Sequence, residues 1–296
     1  MGTISTAKTK NRILFADLLK VVGISFVVLE HVYATNFYPQ LNPYYISISL
    51  FNGMFVYNYG LIGVTLFIFA SGLCLTLSHP RIANTTELTS FYKKRLLRIY
   101  PAYWTALLLF VSLNQSLLKQ SFSMLDVAKL ISGYNCIGAV TWQQYMGKIS
   151  VVFWFIPVIL SLYLAFPLIL LCINKYPNIT IIGLLAVTVI SRWYMACYSP
   201  FIDGTEWFVG CQILFFGLGI FMAKKHLYPN FPSSRVPAFL SDLSFYVYLV
   251  NGTALLALTI YPTLYLVALF VFAYMLLLFD NSIKQYLQKR SAKTRT

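Results

Sequence analysis

Asp17, Lys20 and His31 share one apolar stretch, residues 13–34. That stretch is long enough to cross a bilayer, where ionisable groups are costly. On a helix turning about 100° per residue, the three fall within an arc of roughly 60°. A polar stripe of this kind has to face a protein interior or a wet cavity rather than lipid. Lys20 and His31 are about 16 Å apart along the helix axis. They cannot touch each other, but one extended ligand can touch both. An imidazole takes and returns a proton near neutral pH, so His31 is a candidate general base. A structural histidine, hydrogen-bonded near an interface, fits the same position. Asp17 and Lys20 stand at i, i+3 and are expected to pair, either as site residues or as a neutralising couple that lets the helix insert. Glu30 adjoins His31 in sequence but points about 100° away from it. It is expected to support the site only indirectly.

Arg95 and Arg98 form a second constellation, within FYKKRLLRIYPAYW at 91–104. They also stand at i, i+3, and two adjacent guanidinium forks suit a diphosphate or a 3′-phosphate. The competing reading is a charged stop that fixes topology. Pro101 is expected to break or bend the entry to the following span. Ser71 and Gly72 would let another helix, or a ligand, come close. Trp154, with Tyr134, Trp142 and Tyr145, fits either sugar stacking or an interfacial aromatic belt. The five cysteines are scattered and read as small buried hydrophobes. With three histidines in the chain and none at ligand spacing, no metal site is expected.

These residues need a scaffold, and composition says which. The chain has 296 residues, is 59% hydrophobic and 10% charged, and has a mean hydropathy of +0.72. A soluble domain of that length carries far more charge. Eight apolar segments are legible, at 13–35, 59–78, 100–118, 150–173, 179–197, 207–223, 239–260 and 263–280. Residues 36–58 carry no formal charge. Within 119–149, SMLDVAKLISGY can form an interfacial or re-entrant helix. The expected fold is all-α: a polytopic membrane protein with eight to ten transmembrane helices. No cleavable signal peptide is read from the N-terminal residues.

Charge orients the segments. With both termini in the cytoplasm, the outer loops receive only Lys119, Lys129, Lys148 and Arg192 of the 22 Lys and Arg residues. Apart from Lys20, the rest fall inside, as the positive-inside rule requires. The net charge of +14 therefore reads as membrane orientation, and no nucleic-acid partner is expected. The expected organisation is a basic cytoplasmic arm at 1–12, a membrane domain at 13–280 and a disordered basic cytoplasmic tail at 281–296.

In order, the motifs resemble the acyltransferase-3 family, integral-membrane enzymes that O-acetylate bacterial surface polysaccharides. Lys20 and His31 in FADLLKVVGISFVVLEH are similar to the family's basic-residue and histidine pair. GVTLFIFASGLCL at 63–75 and RLLRIYPAYW at 95–104 follow, then FWFIPVILSLYLAFPLI at 153–169 and LSFYVYLVN at 243–251. The resemblance implies His31 as the catalytic residue and Lys20, Arg95 and Arg98 as acyl-donor contacts. It also implies no permanently bound cofactor, acetyl-CoA as donor substrate, and a glycan or lipid-linked saccharide such as an O-antigen as acceptor. The implied location is a bacterial inner membrane, with lipid as the surrounding partner. Two departures stand out. Ile159 and Leu160 occupy a region where many members have Glu, and Asn251 stands where many have His. Acyl transfer could pass directly to the acceptor or through an acetyl-His31. A transporter, a flippase or an export subunit for a glycan is the alternative class, since intramembrane charge serves those equally well.

Overall fold

The structure is a computed structural model that describes residues 12–34, 47–50, 55–118, 123–134, 151–198, 208–232, 234–258 and 265–293. Nine α-helices are present among these residues. They are α1 (Leu14–Ala34), α2 (Tyr59–Ser78), α3 (Thr85–Leu118), α4 (Met124–Ser132), α5 (Phe155–Lys175), α6 (Pro177–Tyr198), α7 (Val209–Lys225), α8 (Arg235–Leu258) and α9 (Tyr265–Lys293). A 3₁₀ turn, Val151–Trp154, leads into α5. Each of the eight apolar segments contains a helix, and the fold is an all-α, polytopic membrane architecture. One addition is a hairpin of two four-residue strands, β1 (Ser47–Leu50) and β2 (Phe55–Asn58), paired antiparallel from Ser47 opposite Asn58 to Leu50 opposite Phe55.

Five helices, α2, α3, α5, α6 and α9, contain segments that are long and apolar enough to cross a membrane by length and composition. α1 has the length but carries Asp17, Lys20 and Glu30, and α7 has 17 residues. α8 carries Arg235, Asp242 and the buried Ser241, Ser244 and Asn251. α1 and α8 pack on each other.

α2 is the central slab of one half of the bundle, between α1 and α7. Gly63 and Gly72 are nine residues apart, which places them on about opposite faces of α2. A Cβ on Gly63 would come within 2.4 Å of the Gly23 carbonyl oxygen of α1. One on Gly72 would come within 2.2 Å of the Phe216 carbonyl oxygen of α7, and Gly219 faces Phe69 in the same way. Backbone thus lies against backbone on both faces, which is how helices attract when lipid removes the hydrophobic driving force. Gly72 is therefore explained by helix packing, and Ser71 lies half-buried beside it.

The first free N–H groups of α2 need acceptors. Asn58 Oδ1 accepts from Leu61 N at 2.7 Å, and Glu30 Oε2 accepts from Gly60 N at 3.1 Å. Glu30 is thus an anion at a helix N-terminus, where the macrodipole favours it. It serves α2 and turns away from His31.

Three expectations need correction. α3 runs unbroken through Pro101, where a break or bend was expected, and Arg95 and Arg98 lie in the same helix. α9 continues to Lys293, so the described part of the tail is helical; its sequence has no Gly or Pro, and Lys284 pairs with Asp280 at i, i+4. Arg192 does not sit in an outer loop. It is 1% exposed within α6, close enough to Cys211 of α7 to act on it electrostatically. Trp142, Tyr145 and Cys136 lie outside the described residues.

Substituting Gly72→Leu is expected to force α2 and α7 apart and to cost about 3 kcal/mol or more. Thermal unfolding in detergent checks this against Gly183→Ala, whose added Cβ meets nothing within 4 Å. The control should leave stability unchanged or raise it slightly.

Candidate active site

α1 is pinned to α8 at both ends by polar contacts. At the basic end, Arg12 donates to Asp17 at 2.7 Å, to Asp242 at 2.8 Å and to the Ala238 carbonyl at 3.0 Å. Leu14 N also donates to the Phe231 carbonyl at 2.9 Å, which satisfies one free N–H at the start of α1. Burial works against the Arg12 charge, but the hydrogen bonds and negative charges of Asp17 and Asp242 outweigh it, and its pKa is raised. Asp17 is 3% exposed, and Arg12 is the cation that bonds it. The expected Asp17–Lys20 pair is thus replaced by a partner that approaches from ahead of the helix. Arg12 can also reach α8, which an i, i+3 lysine on α1 would not do. Lys20 itself is half-buried.

At the far end, His31 meets α8. Its Nδ1 lies 2.7 Å from the Val27 carbonyl oxygen, one turn back on α1, and 3.1 Å from the side-chain amide of Asn251. Val27 O can only accept, so at that distance the proton belongs on Nδ1 and the lone pair on Nε2. As placed, the amide turns Nδ2 towards the ring and Oδ1 towards the Tyr265 hydroxyl; opposite a protonated Nδ1 the reversed amide bonds, with the Tyr265 oxygen then accepting from Nδ2. Asn251 is fully buried and also hydrogen-bonds the Tyr265 hydroxyl at the start of α9. Three helices therefore orient one imidazole. The ring's basic nitrogen is the one that none of these bonds occupies.

Arg95 and Arg98 fall into a different setting from His31. Arg95 packs over the Phe91 ring at 5.7 Å, and its buried Nε has no hydrogen-bond partner. It lines a cavity of about 230 Å³ with Tyr92, Tyr100, Tyr134, Leu160 and Tyr163. Arg98 is exposed, lies within electrostatic reach of Arg95, and also acts on Tyr246 of α8. Tyr246 hydrogen-bonds Asp280, which is paired with Lys284. Tyr246 and Asn251 are five residues apart, about 7.5 Å along α8. α8 thus runs from the surroundings of Arg98 to His31. Among the described residues, the contacts join Arg95 with Arg98 but do not bring Lys20 to either.

His79, which the sequence did not single out, follows α2 and meets Phe91 edge-on with ring centroids 5.3 Å apart. Burial lowers its pKa, and the positive charges of Arg95 and Lys94 lower it further. A neutral imidazole therefore stands beside the arginines.

The segment YPAYW has an unexpected task. α4 ends with four carbonyls that have no partner within the helix. Tyr103 donates to the Leu130 carbonyl, Tyr100 to that of Ser132 at 2.7 Å and Trp104 Nε1 to that of Ile131 at 2.9 Å. Ser132 Oγ donates to the Lys129 carbonyl at 2.8 Å. The chain leaves through Gly133 in the left-handed region, at φ +78°. Residues 100–104 are mid-way along α3, so the end of α4 folds back to that level. Backbone ends are tolerated at such depth only when protein groups satisfy them. The helix expected within 119–149 forms as α4, and Tyr134, just after it, lines the Arg95 cavity. Trp154 is 9% exposed and packs edge-on against Phe155 with centroids 6.2 Å apart, so it belongs to the core rather than to an interfacial belt. Among the described residues no group of His, Cys, Asp and Glu could hold a metal ion.

Comparison with known proteins fits this arrangement. The family model described as an acyltransferase domain, that of the acyltransferase-3 family, matches residues 13–290. No curated protein matches, and no solved structure matches. The match takes in every element from α1 nearly to the end of α9, the His31 contact and both arginines included, and the chain belongs to the acyltransferase-3 family of integral-membrane acyltransferases.

Proposed function

We propose that this membrane acyltransferase moves an acetyl group from cytoplasmic acetyl-CoA to a sugar hydroxyl of a surface or lipid-linked glycan, with His31 as general base. The observation that carries this reading is the His31 ring, held through Nδ1 with Nε2 left for chemistry. The donor's phosphates would lie at Arg95 and Arg98. The buried, unbonded Nε of Arg95 beside a 230 Å³ cavity supports that role; the cavity holds one end of such a donor, not the whole. Lys20 is a third donor contact in this reading. The pantetheine arm then runs along the α1–α8 contact towards His31.

The chemistry balances without a cofactor. Nε2 removes the proton of the acceptor hydroxyl as its oxygen attacks the thioester carbonyl. The C–O bond forms, the C–S bond breaks, and the thiolate leaves and takes the proton back from the imidazolium. Holding both substrates against one oriented ring supplies much of the acceleration. Asn251 and Tyr265 act as positioning residues, because they touch the ring or its partner and not the reacting atoms. The bacterial inner membrane is the matching location, with the basic end of the bundle facing the cytoplasm.

In membranes supplied with radiolabelled acetyl-CoA, His31→Ala is expected to abolish transfer to glycan while the protein still inserts and folds. Full glycan O-acetylation by that variant would remove the proposed base. Asn251→Ala is expected to lower kcat by about tenfold to a hundredfold, the scale of a lost orienting bond, with little change in donor KM. Arg95→Ala and Arg98→Ala should each raise the donor KM by about tenfold or more and leave acceptor choice unchanged. Unchanged acetyl-CoA affinity in both would rule out a phosphate-binding role. A transporter would give no covalent product in this assay.

A further inference from the structure

A second cavity has neither His31 nor Arg95 in its lining and shares no lining residue with the Arg95 cavity. It has a volume of about 830 Å³ and forms where three connections meet at the basic end of the bundle. Arg81 enters from the α2–α3 connection, Lys175 from the end of α5, and Lys224 and Lys225 from the end of α7. Among the described residues no acidic residue lines it; Glu87 stands beside the lining and accepts from the Ala83 N–H at 2.9 Å. Part of this charge answers the C-terminal dipoles of α5 and α7, which favour cations. That does not account for Arg81, which lies before α3, nor for a cavity this large. Lys224 Nζ donates to the Pro80 carbonyl at 3.3 Å, and Lys175 sits 5.1 Å over the Tyr176 ring. Two of the cations are thereby positioned, with ammonium protons to spare.

The other wall is apolar. Pro167, Leu170 and Leu171 of α5 line it, and Leu171 is 64% exposed, in line with the exposed Leu168 and Leu164 on the outer face of that helix. The cavity therefore opens sideways onto the surface that faces lipid. A free nucleotide would gain nothing from that wall, whereas a molecule with a phosphate head and acyl chains would use both.

We propose that this groove binds the headgroup of an anionic phospholipid bearing two phosphates, with its acyl chains lying along α5. Four cations without a lining acid match a two-phosphate head better than a single phosphodiester. Pockets between membrane helices with this charge take such heads on the side where anionic lipid is exposed. The groove shares no lining residue with the Arg95 cavity, and the proposal does not depend on the acyl-transfer reading.

The test uses the full chain in phosphatidylcholine nanodiscs doped with diphosphatidylglycerol, with bound lipid counted by native mass spectrometry. The wild type should retain diphosphatidylglycerol over phosphatidylcholine and lose it as salt is raised. Arg81→Gln with Lys225→Gln, both exposed positions, should weaken retention by about tenfold. Arg81→Lys with Lys225→Arg should restore it, which separates charge from fold. Equal retention of both lipids by the wild type, or undiminished retention by the Gln variant, would overturn the proposal. So would displacement of the lipid from the wild type by added soluble coenzyme A, which would make the groove a site for water-borne phosphates. The wild-type arms decide the matter even if a variant fails to fold.

Discussion

The structure depends on one constraint: the polar groups of α1 must find partners inside the bundle, and Arg12 at one end and His31 at the other tie that helix to α8. Asp17 is neutralised by Arg12, which also bonds Asp242 and the Ala238 carbonyl of α8. His31 is met by Asn251. Either contact left unmade would strand a buried polar group at a cost of about 1–3 kcal/mol, and more for a charge. The same contacts that let α1 reside in the bundle therefore fix its rotation and its neighbour. The His31 geometry follows from that pairing.

Close packing does the rest of the positioning. α1 can approach α2 only because Gly23 and Gly63 bring backbone against backbone, and α2 meets α7 through Gly72 and Gly219. Glu30 then caps α2 from α1, so the acid next to His31 in sequence serves the scaffold. On the other side, Tyr100, Tyr103 and Trp104 hold the end of α4 at the level of the Arg95 cavity. These three aromatic side chains of α3 are, in space, a set of donors for helix-end carbonyls.

The sequence disclosed the helices well, because long apolar runs leave little choice of secondary structure in a bilayer. It singled out His31 as a candidate because ionisable residues in such runs are rare, and Arg95 and Arg98 through their i, i+3 spacing. What it could not disclose was partnership across the bundle. Arg12 lies five residues before Asp17, outside helical i, i+3 and i, i+4 spacing, so its contact was invisible to a helical wheel. Asn251, 220 residues from His31, was legible only as a departure from the family pattern. The β1–β2 hairpin had a signal in Asn52-Gly53, a pair typical of tight hairpin turns, within an uncharged segment. Arg192 looked like a loop cation because its neighbours Trp193 and Tyr194 suit an interface; its burial against α7 depends on tertiary contacts.

The chemistry assigned to His31 requires a neutral ring with its proton on Nδ1, fixed by Val27 and faced by Asn251. Nitrogen-15 NMR of imidazole-labelled protein in detergent, with His79 and His226 replaced by Gln, measures this directly. The expected spectrum has a protonated Nδ1 and an Nε2 with the shift of an unprotonated nitrogen. A proton on Nε2, or a ring charged at neutral pH, would contradict the account.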